Sequence, residues 1–321
     1  MNRQRILLLA QIALAAIVLG FAARALLTYW RDFQAHSTGL HLDWGWIAAS
    51  GAAFLFAYVV LVQTWRAVLA AWSSRIGFVD AAHIFAVSSL ARYVPGKLWQ
   101  IGALSVLAKR AGAEPAAAAG AAIVSTVANI VTGLLVVVAT SWSLAGVAYR
   151  LAGARAGLVL VIASGILLMA APLAWPHLRR LAVRLTGRSV ALENLPVRGV
   201  VYAGVGNALA WIIYGAAFQM VSRGVLGIAV GNTSSFVAVY AMSYIFGYLV
   251  LFAPAGVGFR ESAMILIMPA AGLANPAQAA VMAIASRLWL TILETLPGLL
   301  FLMLHTVGPT RDTSTPPDAK S

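Results

Sequence analysis

The sequence predicts an all-α polytopic membrane protein of six spanning helices and two helical hairpins, eight or more membrane segments in an inverted-repeat architecture. Composition is the first reason: 62% of the 321 residues are hydrophobic, 10% are charged and the mean hydropathy is +0.89, too apolar to cover a soluble globule. Periodic long apolar runs are the second. The third is a pair of motifs that set Pro, Gly and full charges between short hydrophobic stretches, Arg92-Tyr-Val-Pro-Gly-Lys97-Leu-Trp-Gln100 and Phe252-Ala-Pro-Ala-Gly-Val-Gly-Phe-Arg260-Glu261. Irregular backbone and charge at membrane depth are costly unless they line a wet or protein-filled cavity.

The first run, 6–27, follows Arg3 and Arg5 and carries small residues near its end at 22–23, a pattern that imitates a secretory signal. At 1.5 Å per residue it is long enough to cross about 30 Å of hydrocarbon, and it reads as an uncleaved first helix. Runs 44–71, 116–140, 156–175, 199–221 and 277–304 are the other five spans. Trp30, Trp44, Trp46, Trp72, Trp142 and Trp175 sit near their ends, where amphipathic rings favour the headgroup layer.

Segments 79–90 and 98–108 are each too short to cross and flank Arg92–Lys97, so together they read as a hairpin entering and leaving on one side. The second hairpin pairs 233–253 with 261–272. Its first arm is long enough to cross, which leaves open whether this hairpin is re-entrant or spans fully. Residues 1–307 form one transmembrane domain, with halves of about 1–140 and 156–304. Residues 308–321, rich in Pro, Thr and Ser, are expected to be a disordered tail.

Basic residues orient the chain. Arg66, Arg75, Lys109, Arg110 and the cluster Arg179, Arg180, Arg184 and Arg188 fall on the side of the N-terminus; Arg31, Arg150, Arg155 and Arg223 fall opposite, with Asp32 and Asp43. The positive-inside rule places both termini in the cytoplasm of a bacterial inner membrane. Helix, helix, hairpin, helix then occurs twice from opposite sides, the construction of many alternating-access transporters. Beyond the Pro-Gly loops, no residue-level repeat accompanies that order.

In the first motif, Pro95 lacks an N–H and Gly96 permits a positive φ, so the chain turns sharply and leaves N–H groups at an anion-binding end. Arg92 offers a planar fork for phosphate and Lys97 a compact charge. The plain alternative is that both snorkel to the interface and fix the depth of the tip. Trp99 and Gln100 read first as packing and a backbone cap, with Gln100 retained as a headgroup contact. In the second motif Pro254, Gly256 and Gly258 precede Arg260 and Glu261, adjacent residues about 100° apart on a helix that need not pair. Glu261 is either a first-turn residue favoured by the helix dipole, or a carboxylate that titrates or meets a headgroup amine.

Supporting residues come from the long helices. Arg287 and Glu294 stand seven apart on one face, as a structural ion pair or as an answer to Glu261 or Arg92. Asn129 and Asn207 occupy mid-helix positions in the two halves, suited to an interhelical hydrogen bond or to substrate contact. The alanines of 117–122 and Gly204-Val-Gly206 are close-packing surfaces.

The two motifs, with Lys109-Arg110-Ala-Gly between them, resemble the lysylphosphatidylglycerol synthase transmembrane-region family, across nearly the whole chain in length and order. That family includes free-standing bacterial membrane proteins and the flippase part of the multiple peptide resistance factor. The resemblance implies a lipid-translocating membrane domain. After Leu304 comes a short polar tail where the resistance factor has a soluble transferase, so aminoacyl transfer is not expected.

Other classes find little in the sequence. His36, His41, His83, His177 and His305 show no metal-ligand spacing, and no G-x-S-x-G, Walker A or H-E-x-x-H motif occurs; no cofactor or metal is expected. Cysteine is absent, which excludes disulfides and thiolate chemistry. The net charge of +13 gathers at helix ends and suits anionic lipid better than nucleic acid. The expected function is therefore a lipid flippase moving an anionic phospholipid or polyprenyl-phosphate-linked lipid. The alternatives are a lipid-binding accessory or scaffold subunit of a membrane synthase, and a membrane-embedded glycosyl or aminoacyl transferase with Glu261 as its acid. A homo-oligomer or a partner synthase is left open.

Overall fold

In a computed structural model of the protein, the structure describes residues 42–91, 98–140, 196–228, 231–249, 256 and 258–304. The expected spans 6–27 and 156–175, the basic cluster at 179–188 and the tail 308–321 lie outside the described residues.

All eight regular elements among the described residues are helices: α1 (Trp44–Ala71), α2 (Phe78–Leu90), α3 (Leu98–Arg110), α4 (Pro115–Thr140), α5 (Val197–Leu226), α6 (Thr233–Leu249), α7 (Phe259–Ala270) and α8 (Pro276–Leu304). Four of them, α1, α4, α5 and α8, are long and apolar enough to cross a membrane.

Several ends depart from the sequence reading, each for a local reason. Helix α5 continues past Val221 because the charge at Arg223 is accommodated, its guanidinium 5.1 Å over the Trp46 ring. It stops at Gly227, whose φ of +63° is cheap only without a Cβ. Helix α3 extends to Arg110, with Lys109 and Arg110 in the last turn where cations complement the dipole. Helix α7 begins at Phe259, two residues early, and ends at Ala270 instead of Gly272. The described part of α6 ends at Leu249, and residues 250–253 of the expected arm lie outside the described residues.

Helices α1 and α5 pack antiparallel and form the centre of the fold. The Asp43 N–H donates to Gly224 O (2.8 Å) at one end, and Arg198 Nη2 donates to Ala71 O (3.2 Å) at the other. Between them Gly206 lies against Thr64 so closely that a Cβ would have no room, the close approach expected of a small residue in a membrane helix. Helix α4 packs on α1, α3, α5 and α6; helix α8 packs on α2, α5, α7 and, more lightly, α1.

The two hairpins close on themselves at opposite ends of this pair. Glu114 N–H donates to Ser74 Oγ (3.2 Å), bringing together the chain before α2 and after α3 at the C-terminal end of α1. Gly231 sits directly on Leu273, which does the same for α6 and α7 at the C-terminal end of α5. Arg66, Arg75, Lys109, Arg110 and Arg198 gather at the first end; among the described basic residues, Arg223 stands at the other. Arg66 also ties the α1–α2 connection, Nε donating to Ile76 O (2.9 Å).

Candidate functional site

A cavity of about 190 Å³ lies where the inner ends of both hairpins meet the long helices. Gln100 and Ile101, in the first turn of α3, reach it from one hairpin. Tyr244, Gly247, Tyr248, Gly256 and Arg260 reach it from the other, and Thr64, Ser125, Asn129, Asn207, Arg287 and Glu294 complete its polar wall. The structure thus brings seven of the candidate residues together: Gln100, Asn129, Asn207, Gly256, Arg260, Arg287 and Glu294. Gly258 and Glu261 stand just outside the lining. Arg92, Pro95, Gly96, Lys97 and Pro254 lie outside the described residues.

Arg260 is the central cation. It is 5% exposed, and its Cζ stands 5.1 Å from the Tyr240 ring centroid and 5.3 Å from that of Tyr244, so two aromatic faces hold the charge, with no acid in ion-pair contact among the described residues. Ring faces satisfy charge but leave a directional donor over: Nη2 is buried and has no hydrogen-bond partner among the described residues. A buried donor is normally paired, and a guanidinium donor left over beside a cavity is suited to a ligand oxygen.

Two glycines put Arg260 there. A Cβ on Gly247 would come 2.8 Å from the Arg260 Cβ. Gly256, at φ +70°, lies against the backbone of Gly247, where a side chain would meet Gly247 O at 2.8 Å. The end of α6 and the loop before α7 therefore cross in direct backbone contact.

Glu261 faces away from Arg260, as adjacent helical residues do. Its Oε2 accepts from the Gly258 N–H (2.7 Å), the N3 half of a capping box at the start of α7, and its Oε1 lies 3.6 Å from Arg287 Nη1. Both partners of that pair are more than nine-tenths buried. Arg287 is thus the residue of α8 that answers Glu261, and Glu294 is the carboxylate that lines the cavity.

The seam between the halves carries the two asparagines. Asn129 Nδ2 donates to Asn207 Oδ1 (3.1 Å), Asn207 Nδ2 donates to Ala203 O (2.8 Å), and Trp211 Nε1 donates to Asn129 O (2.9 Å). They bond each other and line the cavity at once.

The sequence reading missed the aromatic wall. Tyr240, Tyr244 and Tyr248 recur every fourth residue on α6, and their rings stack with centroids 6.2 and 6.4 Å apart. That spacing was visible and is the signal that could have found them. Ser125, Thr126 and Thr64 gave no comparable signal, since hydroxyls on apolar helices commonly bond their own backbone. No family model matches the chain, and no curated protein matches it.

Proposed function

We propose that this protein moves a lipid with an anionic headgroup, a phospholipid or a polyprenyl-phosphate-linked lipid, across the bacterial inner membrane by exchanging access to the cavity between its hairpins. The observation that carries the reading is Arg260: a buried guanidinium, held by ring faces, with an unpartnered donor in a cavity reached from both hairpins. An anionic oxygen is the natural partner of such a donor, and anionic headgroups abound in that membrane.

Helix pairing supports an inverted repeat. Exchange α1 with α5, α2 with α6, α3 with α7 and α4 with α8, and four pairings are kept, α4–α6 landing on α2–α8, α3–α4 on α7–α8, α1–α4 on α5–α8 and α1–α5 on itself, whereas the extensive α4–α5 packing has only a light counterpart in α1–α8. With the hairpins closed at opposite ends, this is the layout in which one half rocks against the other around a fixed site. Positive-inside orientation supports a cytoplasmic Arg66–Arg198 end; α8 runs toward it, Phe301 standing 5.6 Å from His83, which supports a cytoplasmic end for α8. The resemblance to the lysylphosphatidylglycerol synthase transmembrane-region family points the same way. A transferase using Glu261 is disfavoured, because Oε2 caps the Gly258 N–H and the carboxylate is held in a buried ion pair with Arg287, although Oε1 itself accepts no hydrogen bond among the described residues.

Purified protein in liposomes should move a fluorescent anionic lipid between leaflets with no partner present. Arg260→Lys keeps the charge and drops the planar fork, and should slow movement by roughly tenfold or more. Movement that requires a second protein supports the scaffold reading; conversion of a lipid donor to product supports the transferase.

A further inference from the structure

We infer that Arg260 is a mobile cation that steps along the tyrosines of α6, and that Tyr248 is the rung that positions it when the cavity takes an anionic headgroup; the inference rests on the translocation reading and deepens it at the same site. Where the structure places it, the guanidinium is shut away. Arg260 is 5% exposed and its Nη2 is buried without a partner among the described residues, so an anion in the cavity reaches that donor only after the side chain moves.

The backbone and the charge of Arg260 stand at different levels of α6. Gly247 marks the level of the backbone, because a Cβ built there would lie 2.8 Å from the Arg260 Cβ and 3.3 Å from its Cα and N. The guanidinium stands beside Tyr240 and Tyr244, 5.1 and 5.3 Å from their ring centroids. From Gly247 back to the midpoint of those two tyrosines is five residues, about 7.5 Å at the rise of an α-helix. The side chain therefore reaches back along α6, outstretched, and a change of rotamer draws it in.

Drawn in, it meets another ring. Tyr240, Tyr244 and Tyr248 recur every fourth residue, with centroids 6.2 and 6.4 Å apart and ring planes 26° and 12° from parallel. A step of one rung exchanges Tyr240 for Tyr248 and keeps Tyr244, so the charge has two ring faces before and after it. The surroundings of the rungs differ. Tyr240 is buried, whereas Tyr244 and Tyr248 are half-buried and line the cavity beside Gly247. One step thus carries the planar fork of donors from the packed interior to the cavity wall. An anion favours the drawn-in position, and its apparent affinity scales with the fraction of protein already there. Tyr240 and Tyr248 then act on binding with opposite signs.

The test uses the whole protein in phosphatidylcholine nanodiscs, titrated with phosphatidylglycerol as the anionic probe, with bound lipid read by native mass spectrometry. Tyr248→Leu removes the receiving ring and should weaken binding roughly tenfold, and Tyr248→Phe, which keeps the ring face, should recover most of that loss. Tyr240→Leu removes the buried rung and should tighten binding several-fold. Should Tyr240→Leu fail to fold, the two variants at position 248 carry the test. Wild-type affinity in Tyr248→Leu, Tyr248→Phe no better than Tyr248→Leu, or unchanged or weaker binding in folded Tyr240→Leu overturns the inference. Opposite shifts at the two tyrosines in protein that moves no lipid in liposomes leave this inference standing and remove translocation, and lipid movement with binding insensitive to Tyr248→Leu does the reverse.

Discussion

The hairpins α2–α3 and α6–α7 finish alike and differ in what they carry inward. Helix α3 ends with Gly112 at φ +81° and the Ala113 N–H donating to Ala108 O (3.0 Å); helix α7 ends with Gly272 at φ +69° and the Leu273 N–H donating to Met268 O (3.1 Å). The next helix in each case opens on a capped proline. Glu114 Oε2 accepts from Ala117 N–H before Pro115, and Asn275 Oδ1 accepts from Gln278 N–H before Pro276. Counting back twelve residues from each glycine reaches Gln100 in one hairpin and Arg260 in the other, and eleven reaches Ile101 and Glu261. The same turn chemistry thus delivers a neutral amide and an aliphatic side chain from one side, and two full charges from the other. Backbone devices fix where a hairpin's inner end sits; the residues at that end set what it can bind.

The largest test of this contrast removes the charge. Glu261→Ala removes both the acid 3.6 Å from the buried Arg287 and the acceptor for the Gly258 N–H, and should destabilise the protein by about 3–5 kcal/mol, read by unfolding in mixed micelles. Ile101→Ala, at the matching position, is half-buried and should cost about 1–2 kcal/mol. Replacing both members of the ion pair, Glu261→Leu with Arg287→Met, should recover most of the first loss. Equal costs at 101 and 261 would erase the distinction between the hairpins.

A smaller effect tests their likeness. Nothing lies within 4 Å of a Cβ built on Gly112 or Gly272, so Gly→Ala at either is penalised by φ alone, about 1–2 kcal/mol. The two variants should match, and the double variant should add within about 0.5 kcal/mol because the sites are independent. A large asymmetry would mean that the two turns bear different loads.

Much of this was legible beforehand, for identifiable reasons. The start of α1 at Trp44 and its end at Ala71 could be read from an apolar run bounded by Asp43 and aromatic residues, and Asp43 proves to be the cap, accepting from Gly45 N–H and Trp46 N–H. Arg260, Arg287 and Glu294 were conspicuous as charges among apolar residues. The length of α5 was not legible, because a charge near a helix end reads as a boundary until its ring partner is known. Nor was the echo Ala-Gly…Pro-Ala at 111–116 and 271–277, whose spacings differ by one residue and whose likeness lies in φ angles and caps. Ser125 escaped for a different reason: an unused hydroxyl is defined by its missing partners, and these are a property of the folded neighbourhood.

The chain contains no cysteine, which permits the most direct test of whether the cavity carries the headgroup. Thr126 lines the cavity, whereas Leu266, on α7, is 73% exposed on the outside. Single Thr126→Cys and Leu266→Cys proteins would be reconstituted active in liposomes and then treated with a bulky methanethiosulfonate reagent, so that folding precedes the block. The account predicts that labelling position 126 cuts lipid movement by about tenfold or more, a barrier rise of about 1.4 kcal/mol, while labelling position 266 leaves the rate unchanged. Movement at the unmodified rate with position 126 fully labelled would contradict it.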